Sequence, residues 1–423
     1  MNTWLIFVLL ILLVSFLLDL TASILNIRAL SANIPQEFTD VYTPSAYQKS
    51  QNYTRTLTYL SVIQSSSSTL LTVLFILGGG FNVLDVWARS LTDTEAIIGL
   101  LFIGSLLFLS FLVDLPFTIY RTFRVEERFG FNRTTVQTFI FDILKGLALV
   151  LLLGGPLLAS ILWFFTHAGP HGWLFCWLGV ILFSLGIQFL APVLIMPMFN
   201  KFSRLEEGPL YATIMHYALQ ERFTVQGIFT MDGSKRSSKV NAFFTGFGKY
   251  KKIVFFDTLV EKLHDHEILA ILAHEMGHFK LQHIPKNMAA SILQIGVMFF
   301  FLSFFLNNQE ISRALGMETL SVHASLVFFG FLYSPINLMV SILFHFISRR
   351  HEYAADAYAA ETTRSVPSLI SGLKKLCETN LTNLTPHPFM VFLHYSHPPV
   401  LERIERLKLS QATHVISKCE DKS

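Results

Sequence analysis

HDHEILAILAHEMGHFKLQH, residues His264 to His283, is the stretch around which the chain is organised. At its centre, His274-Glu275-Met276-Gly277-His278 is an H-E-x-x-H motif. Residues four apart share one helix face, so both imidazoles can face one ion. The surroundings favour a helix. Ile268, Leu269, Ile271, Leu272 and Ala273 are apolar or good helix formers, and neither Pro nor Gly precedes Gly277 in the stretch. Two imidazoles at this spacing suit zinc, and the glutamate between them is placed to act as a general base towards water. A surface helix with two chance histidines is the competing explanation.

The rest of the chain has membrane composition. Of 423 residues, 52% are hydrophobic and 14% charged, and 41 are Phe; mean hydropathy is +0.50. Soluble domains carry about 25% charged residues. The net charge of +3 makes no electrostatic case for nucleic acid, and no such partner is expected. Cys176, Cys377 and Cys419 form no C-x-x-C pair, so neither a disulfide framework nor a cysteine metal site is indicated.

A spanning helix needs about 20 mainly apolar residues. Seven stretches qualify, at roughly 3–27, 59–84, 96–120, 138–165, 172–199, 289–306 and 324–348. The first has no Lys or Arg before Arg28, and its apolar run is too long for a signal peptide, so it is expected to be retained. The connections after helices one, three, five and seven hold 29 of the 32 Lys and Arg residues. By the positive-inside rule, the N-terminus lies outside, the C-terminus inside, and the motif helix on the cytoplasmic side.

This pattern divides the chain into four parts. Residues 1–199 hold five helices and their loops, 200–288 the motif helix, 289–348 helices six and seven, and 349–423 a polar C-terminal part. Each polar segment is small for a domain, so the two are expected to pack together as one catalytic unit. Gly227–Met231 and Lys252–Leu259 read as strands, with Ser234–Tyr250 an irregular connection between them. A strand near the motif helix could take up an extended peptide at its edge. The spans contain polar groups at Asp19, Ser65 to Ser68, Asp114, Asp142, Lys145, Gln188 and His345. Asp142 and Lys145, three apart, are expected to pair, and Lys145 and the serines to face a wet interior. His264, His266 and His283 read as surface histidines.

A catalytic zinc takes three protein ligands and keeps a position for water. After the seventh apolar run, Ser348–Asp356 reads SRRHEYAAD, with Glu352 and Asp356 one turn apart. On spacing alone, ordinary salt bridges with Arg349 and Arg350 are the better explanation of that pair. Once the motif helix is granted, a third ligand is required and Glu352 is the best-placed acid. Asp356 would then accept a hydrogen bond from a ligand imidazole.

Further segments carry a family resemblance. They are Tyr47-Gln48 with Ser50-Gln51, Glu126–Asn132 (EERFGFN), Pro197–Phe202 (PMFNKF), Asn241-Ala242-Phe243 and Asp257-Thr258-Leu259. The H-E-x-x-H motif, Ser348–Asp356 and His397-Pro398-Pro399 with Arg403-Ile404 complete the series. With these in order over nearly its whole length, the chain resembles the CAAX prenyl protease type 1 family of integral-membrane zinc metalloproteases. The resemblance implies an all-α membrane protein: seven transmembrane helices enclosing a water-filled chamber, and a zinc metalloprotease domain with a small β-hairpin or sheet. It implies one zinc ion, bound by His274, His278 and Glu352, with Asp356 behind them. Glu275 would carry a proton from the attacking water to the leaving amine. His397 and Arg403 would stabilise an oxyanion or hold a carboxylate, and Asn241 would contact substrate backbone. By themselves, His397-Pro398-Pro399 reads as a turn and Asn241 as a loop residue.

The implied activity is removal of the C-terminal tripeptide from prenylated CAAX-type proteins, or cleavage of related membrane-associated peptides. A quality-control protease for unmodified membrane proteins would use the same chemistry. A non-catalytic channel, with the charges in the spans as its pathway, is the reading from another class. Leu306–His323 is shorter than the corresponding connection of eukaryotic members, and Glu420–Ser423 shows no retention signal. Both favour a bacterial inner membrane, with the endoplasmic reticulum as the alternative. A monomer in the bilayer is expected.

Overall fold

The computed structural model describes residues 2–245, 252–306 and 308–420. The helices in chain order are α1 (Thr3–Arg28), α2 (Pro44–Leu77), α3 (Gly80–Leu91), α4 (Glu95–Tyr120), α5 (Val136–Leu149), α6 (Gly155–His167), α7 (Gly172–Leu190) and α8 (Met196–Phe199). A mixed region follows, with β1 (Phe202–Arg204), α9 (Pro209–Gln220), β2 (Gly227–Met231), β3 (Ala242–Thr245), β4 (Lys252–Phe256), α10 (Asp257–Lys262) and α11 (Asp265–Lys280). The chain ends with α12 (His283–Phe305), α13 (Gln309–Ala314), α14 (Val322–Thr363), α15 (Val366–Asn380), α16 (Pro388–His394) and α17 (Val400–Glu420).

Among the described residues, seven helical stretches are long and apolar enough to cross a membrane. Their contacts run α1–α2–α4–α6–α7–α12–α14 and back to α1, closing a ring in chain order. A solid bundle would bury one face of every span. Here between 0% and 22% of an apolar 18-residue window of each span is buried, and α14 also touches α4 and α6.

Two helices, α2 and α14, have bounds that differ from the sequence reading. α2 begins at Pro44, well before the expected residue 59, because Thr43 Oγ1 accepts the Ala46 amide and proline suits the first helical position. Its early polar turns bury Tyr47, Ser50, Gln51 and Tyr53. It stops at Leu77, short of residue 84, where Gly79 at φ 70° reverses the chain into α3. At the other end, α14 runs on to Thr363, since residues 336–363 contain neither Gly nor Pro. Its 42 residues span about 63 Å, twice the thickness of a bilayer core.

The two polar segments share one hydrophobic core. Ile253, Phe255, Ile268, Leu272 and Met276 pack with Leu369, Leu373 and Ile404, and Phe38 and Tyr42, just before α2, join with Tyr47 from its first turns. The sheet has the order β1-β2-β4-β3, with β2 parallel to β4 and both outer pairs antiparallel. Gly227–Met231 is a strand as expected. The second expected strand ends at Phe256, where Asp257 turns the chain into α10 and accepts the Ser234 and Thr258 amides. The connection read as irregular contains β3, an edge strand; residues 246–251 of that connection lie outside the described residues.

Asp142 and Lys145 do not pair. Asp142 accepts two bonds from Arg236, at 2.7 and 2.8 Å, and Lys145 donates to the Met198 carbonyl at 2.6 Å. A guanidinium that bonds a carboxylate with two parallel N–H groups outcompetes a neighbouring lysine on the same helix. Cys176 and Cys377 are buried free thiols; the side chain of Cys419, like residues 421–423, lies outside the described residues.

The ring end remote from the motif helix is capped by α3 and α13. Phe81, Ile311, Leu315 and Met317 pack there against Phe102 and Phe328. Beneath them, Asp85 meets His323 at 2.7 Å and Arg89 at 2.9 Å, with the Asp85 and His323 side chains 1% and 2% exposed. Removing the carboxylate strands both partners. Asp85→Ala should cost about 3 kcal/mol, read as a lowered melting temperature in detergent micelles. Asp19→Ala, at the half-exposed pair with His394, should leave it nearly unchanged.

Candidate metal centre

α11 opens with a reciprocal cap: the His264 amide donates to Glu267 Oε2 at 2.9 Å, and the Glu267 side chain also accepts from Ser371 Oγ at 2.5 Å. Ile268, Leu272, Ala273 and Met276 then bury the helix. It crosses α14 most closely at Gly277. A methyl there would lie 3.1 Å from Ala355 Cα and 3.2 Å from both Ala355 O and Tyr358 Cδ1. With no side chain in the way, Glu352 of α14 reaches both motif imidazoles.

His274 Nε2 and His278 Nε2 are 3.2 Å apart. Glu352 Oε2 lies 3.4 Å from the first, and Glu352 Oε1 lies 3.2 Å from the second. All three ligand atoms fall within 4.8 Å of one another. Glu352 is 3% exposed, and among the described residues its buried Oε2 has no hydrogen-bond partner, with Arg403 Nη1 at 3.7 Å. A buried carboxylate whose two oxygens each face an imidazole nitrogen, one of them without a hydrogen bond, is the chemistry of a cation site. The residues fit a metal ion.

Family comparisons agree with the geometry. Residues 23–201 match the CAAX prenyl protease N-terminal model, described as five membrane helices, and residues 205–410 match peptidase family M48. The CAAX prenyl protease 1 homolog of Arabidopsis thaliana is 32% identical, covering 90% of this chain and 93% of that protein. CAAX prenyl protease 1 of Saccharomyces cerevisiae is 33% identical, covering 88% of each. The chain belongs to peptidase family M48. The crystal structure of S. mikatae Ste24p superposes on this M48 protease with a TM-score of 0.90 at 30% identity, over 96% of this chain and 99% of that one. The fold is thus a seven-helix membrane protein with a metalloprotease domain and a small mixed sheet, as the sequence implied, and the protein is a metalloprotease.

Around the candidate ligands, His274 Nδ1 lies 2.9 Å from Asp356 Oδ1. Arg403 holds Asp356 with two bonds, at 2.8 Å from Nε and 2.7 Å from Nη2. His397 Nε2 is 3.4 Å from Glu352 Oε1, with its side chain 67% exposed at the mouth of the site. A cavity of about 350 Å³ is lined by Glu275, His397 and Arg403 together with the three ligands. Asn241 stands apart at the head of β3, where its Oδ1 accepts the Ala242 amide and its carbonyl the Phe256 amide. It is not among the residues that line the cavity.

The sequence reading missed several neighbours. Asn287 from α12 and Ser348 from α14 line the same cavity. His264 and His266 are exposed as expected, but His283 is buried and its Nδ1 lies 3.0 Å from His278 Nδ1. Five residues past His278 is no helical repeat, so the sequence carried no sign of this contact; the turn at Gln282 creates it.

Burial opposes a charge on His274, yet hydrogen bonds to Asp356 and Glu352 outweigh it and push the ring up to about 9. Burial also raises Glu275, partly offset by His274 and His278. Gly277→Ala meets backbone atoms that cannot rotate away, so α11 and α14 must part by a few tenths of an ångström. Metal affinity in a chelator competition should fall on the order of tenfold.

Proton and ion compete for the His274 ring. Below its raised value each incoming ion must displace a proton, so apparent metal affinity should rise with pH and level off near 9. A chelator competition run between about pH 6 and about pH 10 that stayed flat would contradict this account.

Proposed function

We propose that this M48 protease is a zinc endopeptidase that removes the C-terminal tripeptide from prenylated CAAX-type proteins. The observation that carries the reading is the ligand triangle. Zinc takes imidazole and carboxylate donors, and here the two Nε2 atoms are 3.2 Å apart, with one Glu352 oxygen 3.4 Å from His274 Nε2 and the other 3.2 Å from His278 Nε2, so that one atom from each residue lies within 4.8 Å of the others. The names of the relatives support the substrate class. When bound, zinc supplies Lewis acidity that activates water and polarises the scissile carbonyl.

The chain's own groups divide the remaining work. Glu275 projects into the cavity between the two ligand histidines in sequence, and its burial-raised carboxyl suits a group that accepts a proton and returns it to the leaving amine. His397 at the mouth is placed to donate to a developing oxyanion or to a terminal carboxylate. Arg403 is committed to Asp356 by two bonds, which supports a positioning role: it holds the carboxylate that aims His274. Among the described residues β3 pairs only with β4, and it packs near α11, so its free edge can add an extended peptide with Asn241 at its head.

Residues 200–288 and 349–423 act as one catalytic unit, the first supplying two ligands and the second the carboxylate and Arg403. Residues 1–199 and 289–348 supply the spans. One chain provides every group named, which supports a monomer. The Lys and Arg distribution supports a cytoplasmic catalytic side. The short Leu306–His323 link favours the bacterial inner membrane, and the eukaryotic source of the relatives favours the endoplasmic reticulum.

Glu275→Gln should retain one zinc per chain by elemental analysis and lose about 10²- to 10⁴-fold in cleavage rate. Substantial activity in a zinc-loaded variant would defeat the assignment. Paired prenylated and unprenylated peptides test the substrate class: equal cleavage of both would select a quality-control protease.

A further inference from the structure

We propose that His283 is a positioning residue for the metal centre: its Nδ1 accepts the Nδ1 proton of His278 and thereby sets the tautomer and aim of that ligand. The inference rests on the reading of His278 as a ligand. The two Nδ1 atoms are 3.0 Å apart, with the ring planes at 72°. Facing nitrogens at that distance share a single proton, which must sit on one ring or the other. Were it on His283, a neutral His278 would carry its own proton on Nε2. That nitrogen faces His274 Nε2 at 3.2 Å and Glu352 Oε1 at 3.2 Å, and it would then have no lone pair for an ion. Ligation therefore requires His278 to donate and His283 to accept.

The local fold is built to hold this pair together. α11 ends and α12 begins at Gln282, a non-glycine residue at φ 59°. Such a conformation costs about 1–2 kcal/mol. A continuous helix would place residue 283 about 140° around the axis from His278. The strained reversal instead folds His283 back beneath it. His283 is 4% exposed, and its ring stacks on His351 at 4.0 Å with the planes 8° apart, which fixes its orientation.

The two ligand imidazoles are thus supported differently. His274 bonds the anionic Asp356, itself neutralised by Arg403. His278 bonds a neutral ring, which aims it without adding a charge to the buried cluster. A purely structural role for His283, as a packing plate for His351, is the alternative to separate.

Two variants separate them in the full-length protein in detergent. His283→Phe keeps a flat ring on His351 and removes the acceptor. His283→Asn removes the ring and places Oδ1 where Nδ1 stood. The readout is zinc affinity by competition with a chelating dye. Wild type is measured first, and failure to retain zinc there refutes the ligand reading itself. Given zinc in the wild type, His283→Phe should bind about 10- to 100-fold more weakly and His283→Asn within about threefold of wild type. Wild-type affinity in the Phe variant, or an equal loss in both, overturns the proposal. Should the Phe variant not fold, zinc-loaded wild type with isotope-labelled histidine gives an independent readout. The His278 Nδ1 proton should show nitrogen coupling across a hydrogen bond to a second imidazole, and a proton coupled to one ring alone overturns the proposal.

Discussion

Gly277 lies against Ala355 with less space between their helices than a methyl group needs, and the geometry of the centre follows from that contact. Glu352 sits three residues before Ala355 on α14, and His274 and His278 flank Gly277 on α11. Bringing the two backbones together therefore brings the carboxylate to the imidazoles. A buried carboxylate costs several kcal/mol unless it is paired. Asp356, 3% exposed, has Arg403 and His274. Glu352 Oε2, equally buried, has no hydrogen-bond partner among the described residues, with His274 Nε2 at 3.4 Å and Arg403 Nη1 at 3.7 Å as its polar neighbours, and a cation bound beside it would complete its pairing.

That interaction joins membrane to catalysis through one rigid element. Glu352 lies thirty residues after Val322 on an unbroken helix, about 45 Å along its axis, so the ligand is carried by a span rather than by a loop attached to one. The other half of the unit is anchored to the ring as well. Arg236, next to the sheet, bonds Asp142 of α5. Lys239 bonds Tyr53 of α2 at 2.7 Å and Glu126 at 3.1 Å. Asn380 clamps Val240 through both its amide and its carbonyl, at 3.0 and 3.1 Å. The run 239–241 leading into β3 is thus held by two spans and by α15. A peptide added to this edge, as proposed above, would need such anchoring, because a misplacement of about 1 Å at the reacting atoms can cost two orders of magnitude in rate.

What could be read from the chain, and what could not, divides along local and long-range physics. The seven spans were legible because lipid demands long apolar runs, and the paired imidazoles because an α-helix fixes where position i+4 points. Glu352 was reached by need, a third ligand being required, and the family resemblance pointed to the same residue. The early start of α2 was not legible, because its polar turns are stabilised by burying Tyr47 and Tyr53 against distant segments. Asp142 was read as a local pair for Lys145, and its actual partner lies 94 residues away. β3 was lost in a Gly-containing connection, since an edge strand of four residues, none fully buried, has no alternating pattern to announce it. His283 was misread because a backbone reversal at a non-glycine residue leaves no mark in sequence.

Charge balance explains why these groups occur together. Glu352 and Asp356 bring two negative charges into the cluster and Arg403 one positive. With a proton on His274, these four groups are together uncharged, and burial raises the Glu275 carboxyl beside them. A divalent ion with neutral imidazoles adds two charges and removes the one on His274, which leaves an excess of one positive charge. Ionising Glu275 cancels it. A bound divalent ion and an ionised Glu275 would therefore each favour the other in a site of low dielectric. The pairing also accounts for a neutral His283 behind His278: a second carboxylate at that position would leave the loaded cluster one negative charge in excess and remove the drive for Glu275 to ionise.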